Sequence, residues 1–390
     1  MKILHTVENY YPSTGGMQEV VRELSERLVA LGHDVTVATS RLQERTNNLV
    51  NGVTIKEFDV SGNMVRKMEG DIDSYKDFLL NSDYDVITNF AAQQWATDIM
   101  LPLLGKIKSK KVFVPTGFSA LYSNEYKDYF ERMKSWFHEY DMNVFLSENY
   151  QDINFARDCG VRKRVLIPNG AGENEFMMER NINIRKLLNI PEKHFLVLHV
   201  GSHTGIKGHL EAIKIFSRAH RLRSATFLLI ANDVDGGCMT DCKRKAFYFN
   251  LAGKFLNKKI IITSLPRKET VAAYHEADLF LFPSNIECSP LVLFECMASK
   301  TPFLSTDVGN AAELVRWSNA GELLPTIKEL GGYVKADIAE SARRLEGIYR
   351  KSQRRREMQK SGHKVWLERF TWQKIALEYE KLYKELGNFS

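Results

Sequence analysis

Short apolar runs alternate with helix-length amphipathic stretches along this chain. That alternation points to one class of architecture, a parallel sheet with helices on both faces. The pattern opens with a predicted strand over residues 2–7, then Tyr10-Tyr11-Pro12-Ser13-Thr14-Gly15-Gly16 and a helix. In that helix Met17, Val20, Val21, Leu24, Leu28 and Leu31 recur at helical spacing, and Gly32 supplies the stop. Strand resumes over 35–38, and further strands are predicted over 85–88, 112–115, 142–146 and 164–167. Around Pro168-Asn169-Gly170 the pattern breaks, and the polar Gly172-Glu173-Asn174-Glu175 reads as a linker. The second half then starts again. A strand over 195–200 enters Gly201-Ser202-His203-Thr204-Gly205-Ile206-Lys207-Gly208 and a helix carrying Leu210, Ile213, Ile215 and Phe216, with strands to follow over 226–230, 259–262 and 278–282. Two doubly wound halves suit a chain of 390 residues, because single cores stop growing at about 250–300 residues.

The candidate site lies where the strand over 278–282 gives way to Pro283-Ser284-Asn285-Ile286-Glu287-Cys288-Ser289-Pro290-Leu291. Ser289 suits an N-cap and Pro290 the first helical position, so a helix N-terminus is predicted at the carboxyl end of a strand. Free amides and the positive end of the helix dipole there favour a phosphate-bearing ligand. Two carboxylates bracket the point, Glu287 in the loop and Glu295 nearly two turns into the helix. Carboxylates beside a phosphate site make chemical sense when the same ligand carries hydroxyls, as a nucleotide sugar does on both sides of its diphosphate. The loop from Gly201 to Gly208 could hold a diphosphate by its amides and the point charge of Lys207. Taken singly these residues also fit a solvated loop, a helix surface and a lysine in a turn. The Gly15-Gly16 pair lets backbone approach a ligand but also fits a tight turn, and the three-glycine dinucleotide fingerprint is absent.

Composition excludes several classes. With 44% hydrophobic and 26% charged residues the chain is an ordinary globular one. No apolar run approaches the ~20 residues of a membrane span. Met1-Lys2-Ile3-Leu4-His5 turns polar too early for a signal peptide, so a cytoplasmic protein is expected. Five scattered cysteines argue for reduced thiols over a disulfide framework. Cys238 and Cys242 find no zinc pattern with His220 or His275, and no metal is expected. The net charge of +6 is mild, and no nucleic-acid partner is expected. Basic runs at Lys106-Ile107-Lys108-Ser109-Lys110-Lys111 and Arg162-Lys163-Arg164 could favour an anionic membrane face, which would make any membrane contact peripheral and on the inner side. A third run, over 350–356, reads as solvated surface.

Assembled in order, these pieces resemble the retaining glycosyltransferases of family 4. They are Gly15-Gly16 before a long helix, Ile167-Pro168-Asn169-Gly170 at an interdomain hinge, Val200-Gly201 with Lys207-Gly208, Glu287 with Glu295, Val308-Gly309 with Glu313, and Phe370-Thr371-Trp372 opening a last helix. The resemblance spans nearly the whole chain. It implies an α/β fold of GT-B type, two Rossmann-like doubly wound parallel-sheet domains with a cleft between them. Domain bounds of 1–175 and 176–370 are expected, with a C-terminal helix over 371–390 packing back on the first domain.

The resemblance further implies hexose transfer from a nucleoside diphosphate sugar, UDP- or GDP-linked, to a hydroxyl of a glycan or lipid-linked glycan. Anomeric configuration would be retained, with neither metal nor separate cofactor. Glu287 would contact the transferred sugar, Glu295 the ribose hydroxyls and Lys207 the diphosphate. Ser289, Pro290 and Leu291 would cradle phosphate at the helix start, although proline has no amide to offer, and Gly16 would approach from the other domain. Two positions depart from the family pattern: Ser202 stands where an arginine is frequent, and Thr116 where a histidine is frequent. The alternatives are a nucleotide-sugar epimerase or a glycan phosphorylase of similar fold. From another class comes a nucleotide-sugar-binding regulatory protein that has lost catalysis.

Overall fold

The computed structural model describes residues 1–178, 181–232, 238–252 and 256–387. The chain divides into two units, one of Met1–Asn169 with Trp372–Ser390 and one of Gly170–Thr371.

The first unit is built on eight strands: β1 Lys2–Thr6, β2 Asp34–Ser40, β3 Leu49–Val50, β4 Val53–Phe58, β5 Val86–Phe90, β6 Lys110–Val114, β7 Met142–Phe145 and β8 Arg164–Leu166. Their order in the sheet is β8-β7-β6-β5-β1-β2-β4-β3, and only the β3–β4 pair is antiparallel. The chain builds outward from β1 through β2 to β4, then returns to lay β5 on the other side of β1 and continues to β8. Such a reversal requires crossovers over both faces, which explains why β5 is buried along its whole length. β4 is absent from the predicted strands, although buried Val53, Ile55 and Phe58 alternating with exposed Thr54 and Lys56 is the pattern of a half-buried strand.

Helix α1, Gly16–Ala30, follows β1 and buries Val20, Val21, Leu24 and Leu28, the stripe that its spacing predicts. Gly32 just beyond adopts φ 89°, a left-handed turn natural to glycine.

The second unit repeats the plan with six parallel strands: β9 Phe195–Val200, β10 Ala225–Ile230, β11 Lys258–Thr263, β12 Leu279–Phe282, β13 Phe303–Ser305 and β14 Gly321–Leu323. Their order is β11-β10-β9-β12-β13-β14, so the winding reverses between β9 and β12. Every residue of β10 and β12 is buried. Each such Leu, Ile or Phe contributes about 1.5–3 kcal/mol on leaving water, which makes these central strands the anchor of the unit. Among its helices are α2 His209–Arg218, α3 Met239–Ala252, α4 Arg267–Glu276, α5 Leu291–Ala298 and α6 Ala311–Ser318, and two more, Ile338–Arg350 and Ser352–Val365, follow the last strand. The stretch expected to be a linker is ordered otherwise. It contains a helical turn, Glu173–Phe176, because Phe176 is buried in the core of the second unit and Glu175 pairs with Arg267.

The last helix, α7 Trp372–Gly387, belongs to the first unit and packs on α1. It buries Trp372, Ile375, Ala376, Tyr379, Leu382 and Tyr383. The Tyr383 hydroxyl lies 2.7 Å from Thr88 Oγ1 and 3.3 Å from His5 Nε2, and Glu380 meets His33 at 3.0 Å. Residues 388–390, expected in this helix, lie outside the described residues. In the first basic run Lys110 and Lys111 each approach Asp141 at 3.7 Å, while Lys106 and Lys108 remain exposed. Among the described residues no helix is long and apolar enough to cross a membrane.

Candidate functional site

In a doubly wound sheet the crevice for a ligand opens at the carboxyl ends of the two strands between which the winding reverses. In the second unit those strands are β9 and β12, and the loops that leave them, 201–208 and 283–290, are stitched together. The Asn285 amide donates to the Ile206 carbonyl at 2.8 Å, and Ser284 Oγ lies 3.2 Å from the same oxygen. Gly208 adopts φ 72°, and a side-chain methyl there would overlap the Pro283 carbonyl oxygen. This stitching brings together two residues eighty apart in the chain: Lys207 Nζ lies 2.8 Å from Glu287 Oε1. Ser284 Oγ donates to the same Glu287 oxygen at 2.8 Å, so the carboxylate is held from two sides.

A third loop closes on the second. Gly309, with φ 51°, lies against the Cys288 carbonyl so tightly that a side chain would overlap it. The Asn310 amide donates to that carbonyl at 3.0 Å, and Asn310 Nδ2 donates to Ser289 Oγ at 2.9 Å. This alters the expected helix start. The N-cap of α5 is Pro290, in an extended conformation at φ −68° and ψ 116°, and Leu291 is the first helical residue. Ser289 stands one place further out, with its hydroxyl accepting from Asn310. The N-cap residue of α5, a proline, offers no side-chain oxygen to the amides of the first turn.

Glu295 does not join Lys207 and Glu287. It is buried, with its Oε1 2.6 Å from an Arg267 nitrogen at the start of α4. Arg267 also grips Glu175 through two bonds, of 3.0 and 2.7 Å. Burial works against the Arg267 charge, but Glu295 and Glu175 beside it prevail and hold its pKa well above the ordinary arginine range. Burial, reinforced by the Glu295 charge, pushes the neighbouring Tyr274 phenol well up. Arg267 and Ser284 are absent from the sequence-based candidates. Arg267 follows Pro266 just beyond a predicted strand, the one sequence signal that could have drawn attention to it.

Ser202 is exposed in the loop after β9, with its carbonyl accepting from the Thr204 amide at 2.8 Å. Gly16 belongs to the first unit. It is exposed as the first residue of α1, and a side-chain methyl built on it would meet nothing within 4 Å. In the same unit the loops leaving β5 and β6 hold four non-glycine residues at positive φ: Ala91 at 62°, Gln93 at 63°, Thr116 at 59° and Phe118 at 53°. Such conformations cost of order 1–3 kcal/mol each and cluster where a loop is shaped for a ligand. Thr116 is the sharpest case, since a branched side chain fits the left-handed region badly.

Two Rossmann-like units, the second with a basic loop and a helix start meeting at its reversal point, define the GT-B class of α/β proteins. Within that class the chain belongs to the family 4 type of glycosyltransferases. The family profile described as Glycosyl transferases group 1 matches residues 181–365, and that of Glycosyltransferase Family 4 matches residues 14–172. The O-antigen biosynthesis glycosyltransferase WclY of Escherichia coli is 23% identical over 247 residues, covering 63% of this chain and 62% of that protein. The match thus spans less than two thirds of that relative. The sucrose-phosphate synthase of Thermosynechococcus elongatus superposes over the whole of both chains with a TM-score of 0.77 at 19% identity. The Anabaena protein HepE in complex with UDP-glucose superposes over 99% of this chain and 100% of its own, with a TM-score of 0.72 at 15% identity. At these identities the two structures bear on the fold alone.

Proposed function

We propose that the chain is a retaining glycosyltransferase that moves a hexose from a UDP- or GDP-linked sugar to a hydroxyl of a glycan or lipid-linked glycan, in the synthesis of a cell-surface polysaccharide or glycoconjugate. The observation that carries this reading is the meeting of Lys207 and Glu287 at 2.8 Å on the two loops of the reversal point. The UDP-glucose held by HepE and the O-antigen role of WclY support the donor and acceptor classes.

Breaking the bond to the diphosphate leaves negative charge on the phosphate and positive charge on the sugar, and a site works by meeting both. Lys207 and the amides opening α5 neutralise the leaving diphosphate, so no divalent ion is required for that step. Glu287, fixed by Ser284, faces the sugar as it becomes cationic. Glu295 takes the ribose hydroxyls, with Arg267 holding its carboxylate in place. The acceptor hydroxyl gives its proton to the departing phosphate on the same face, and no protein base is assigned. The strained loops after β5 and β6 of the first unit serve the acceptor. Lys106 and Lys108 stay free to meet an anionic membrane surface near a lipid-linked one.

The test begins with thermal unfolding against a panel of nucleoside diphosphates and their sugars. A true donor at about 100 times its dissociation constant adds roughly 2.7 kcal/mol to stability. Turnover with that donor should fall by about 10²–10³ in Lys207→Ala and Glu287→Gln, the range for losing one group that stabilises transition-state charge. Glu295→Ala should act on donor affinity instead. Full turnover in both of the first two variants would refute the assignment.

A further inference from the structure

Behind the loop that carries Lys207 lies a cluster of imidazoles and thiols that the proposed reaction does not use. His203 belongs to that loop, His209 opens α2, Cys238 immediately precedes α3 and Cys242 lies in its first turn. Neither histidine is among those weighed from the sequence, His220 and His275. The side-chain donor atoms of His203, Cys238 and Cys242 all lie within 4.8 Å of one another. His203 Nδ1 is 3.2 Å and His209 Nδ1 is 3.4 Å from the Cys238 sulfur, and the two imidazole rings stack with centroids 4.4 Å apart. These side chains are sealed from water, with relative exposures of 2% for His203, 1% for His209, 9% for Cys238 and 0% for Cys242.

The spacing is close to that of a tetrahedral zinc centre. Bonds of about 2.3 Å to sulfur and 2.0–2.1 Å to nitrogen, at tetrahedral angles, set a sulfur and a nitrogen about 3.6 Å apart. The two nitrogen–sulfur separations here, 3.2 and 3.4 Å, need only a small expansion to reach it, while His209, outside the three mutually close donors, must draw nearer to complete the set. Support behind one ligand is already built. His209 Nε2 lies 3.2 Å from the Gly201 carbonyl, which can only accept, so Nε2 carries the proton and Nδ1 turns its lone pair toward Cys238. Charge also balances. Each thiol gives its proton to solvent on ligation, and two thiolates with two neutral imidazoles cancel the dication, so the buried centre carries no net charge. Two sulfurs and two nitrogens in tetrahedral array are a zinc donor set.

We propose that His203, His209, Cys238 and Cys242 bind one Zn²⁺, which clips the Lys207-bearing loop and the start of α2 to the start of α3. The site stands on these four side chains whatever ligand Lys207 meets. Its effect on donor affinity, through the order of the loop, rests on the proposed function.

The full chain, stripped with a chelator and titrated with Zn²⁺ against a competing chromophoric chelator, should take up one ion. Replacing Zn²⁺ with Co²⁺ should give the charge-transfer absorption of thiolate ligation. Cys159→Ser should keep both properties, and Cys238→Ser with Cys242→Ser should lose both. Should that double variant not fold, the cobalt spectrum of the unaltered chain decides, together with His209→Ala, which keeps both thiols and should bind Zn²⁺ at least tenfold more weakly. The proposal is overturned by no uptake at micromolar free Zn²⁺, by a folded double variant that still binds, or by a cobalt complex without sulfur ligation. It is equally overturned by fresh protein two hydrogens lighter through a Cys238–Cys242 disulfide. Donor binding is read separately from the nucleotide panel, so failure of the metal site leaves the proposed reaction standing, and the reverse.

Discussion

Gly16 and Gly208 both stand at the start of a helix that follows the first strand of a doubly wound sheet, yet they lack side chains for different reasons. Gly208 sits in the left-handed region at φ 72° with no room for a methyl against Pro283, so the second unit itself demands glycine there. Gly16 has ordinary helical backbone and open space around it. Among the described residues nothing inside the first unit asks for glycine at that position, and the approach of the proposed donor would be a reason for it. A glycine in a strand-to-helix loop is thus informative only once its surroundings are known: one is a joint of the scaffold, the other an opening in its surface.

The sharpest break of that contrast is Gly208→Ala. It should cost about 2 kcal/mol or more, combining the left-handed penalty with overlap. Denaturant unfolding of wild-type stability would mean that the loop is not held by its seam with Pro283. Gly16→Ala should change stability by less than about 0.5 kcal/mol while reducing donor affinity or turnover roughly tenfold. Unaltered kinetics would return Gly16 to the scaffold and erase the distinction.

A smaller difference between the units lies in how buried charge responds to pH. In the first, burial raises the Asp152 carboxyl to about 6 despite backbone amides of Gly117 and Ile153 donating to it. The folded chain then binds more protons at this site than the unfolded one between pH ~4 and ~6. Its contribution is present below that window and is lost as pH rises through it. In the second, burial lowers Lys258 to about 8, although it donates to the Phe216 and Ala219 carbonyls at 2.6 and 3.0 Å. Here the unfolded chain holds more protons between pH ~8 and ~10.5, so stability from this group rises with pH over that range. Unfolding followed against pH should show the acid-side fall missing from Asp152→Asn and the alkaline-side rise missing from Lys258→Met. Variants that track the wild type at every pH would show that these groups do not titrate as their burial requires.

Strands β9 to β12 of the second unit were legible from sequence to within a residue, since β9, β10 and β12 are almost wholly apolar runs with no solvent face to disguise them, whereas the three-residue β13 and β14 were not predicted. The carboxylate and lysine of the candidate site were legible for a related reason. Each sits in the first loop after such a strand, and parallel winding forces those loops to one end of the sheet. What was hidden depends on registration between distant segments. Arg267 reaches Glu295 only because the start of α4 comes within reach of α5, and the Ser289 hydroxyl is engaged by Asn310, which arrives from the next loop. The imidazole–thiol cluster was hidden in the same way, with its ligands divided between the loop after β9 and the start of α3.

The position of α7 has a consequence for how the protein is made. Tyr383 completes a buried bond with Thr88 across 295 residues of chain. At about 5–20 residues per second, synthesis needs roughly 15–60 s to travel that distance. The second unit is one unbroken segment, Gly170–Thr371, and every residue it needs has been made before α7 begins. The unit begun first is therefore finished last. A nascent chain paused at Thr371 would carry a complete second sheet beside a first one still lacking its final helix.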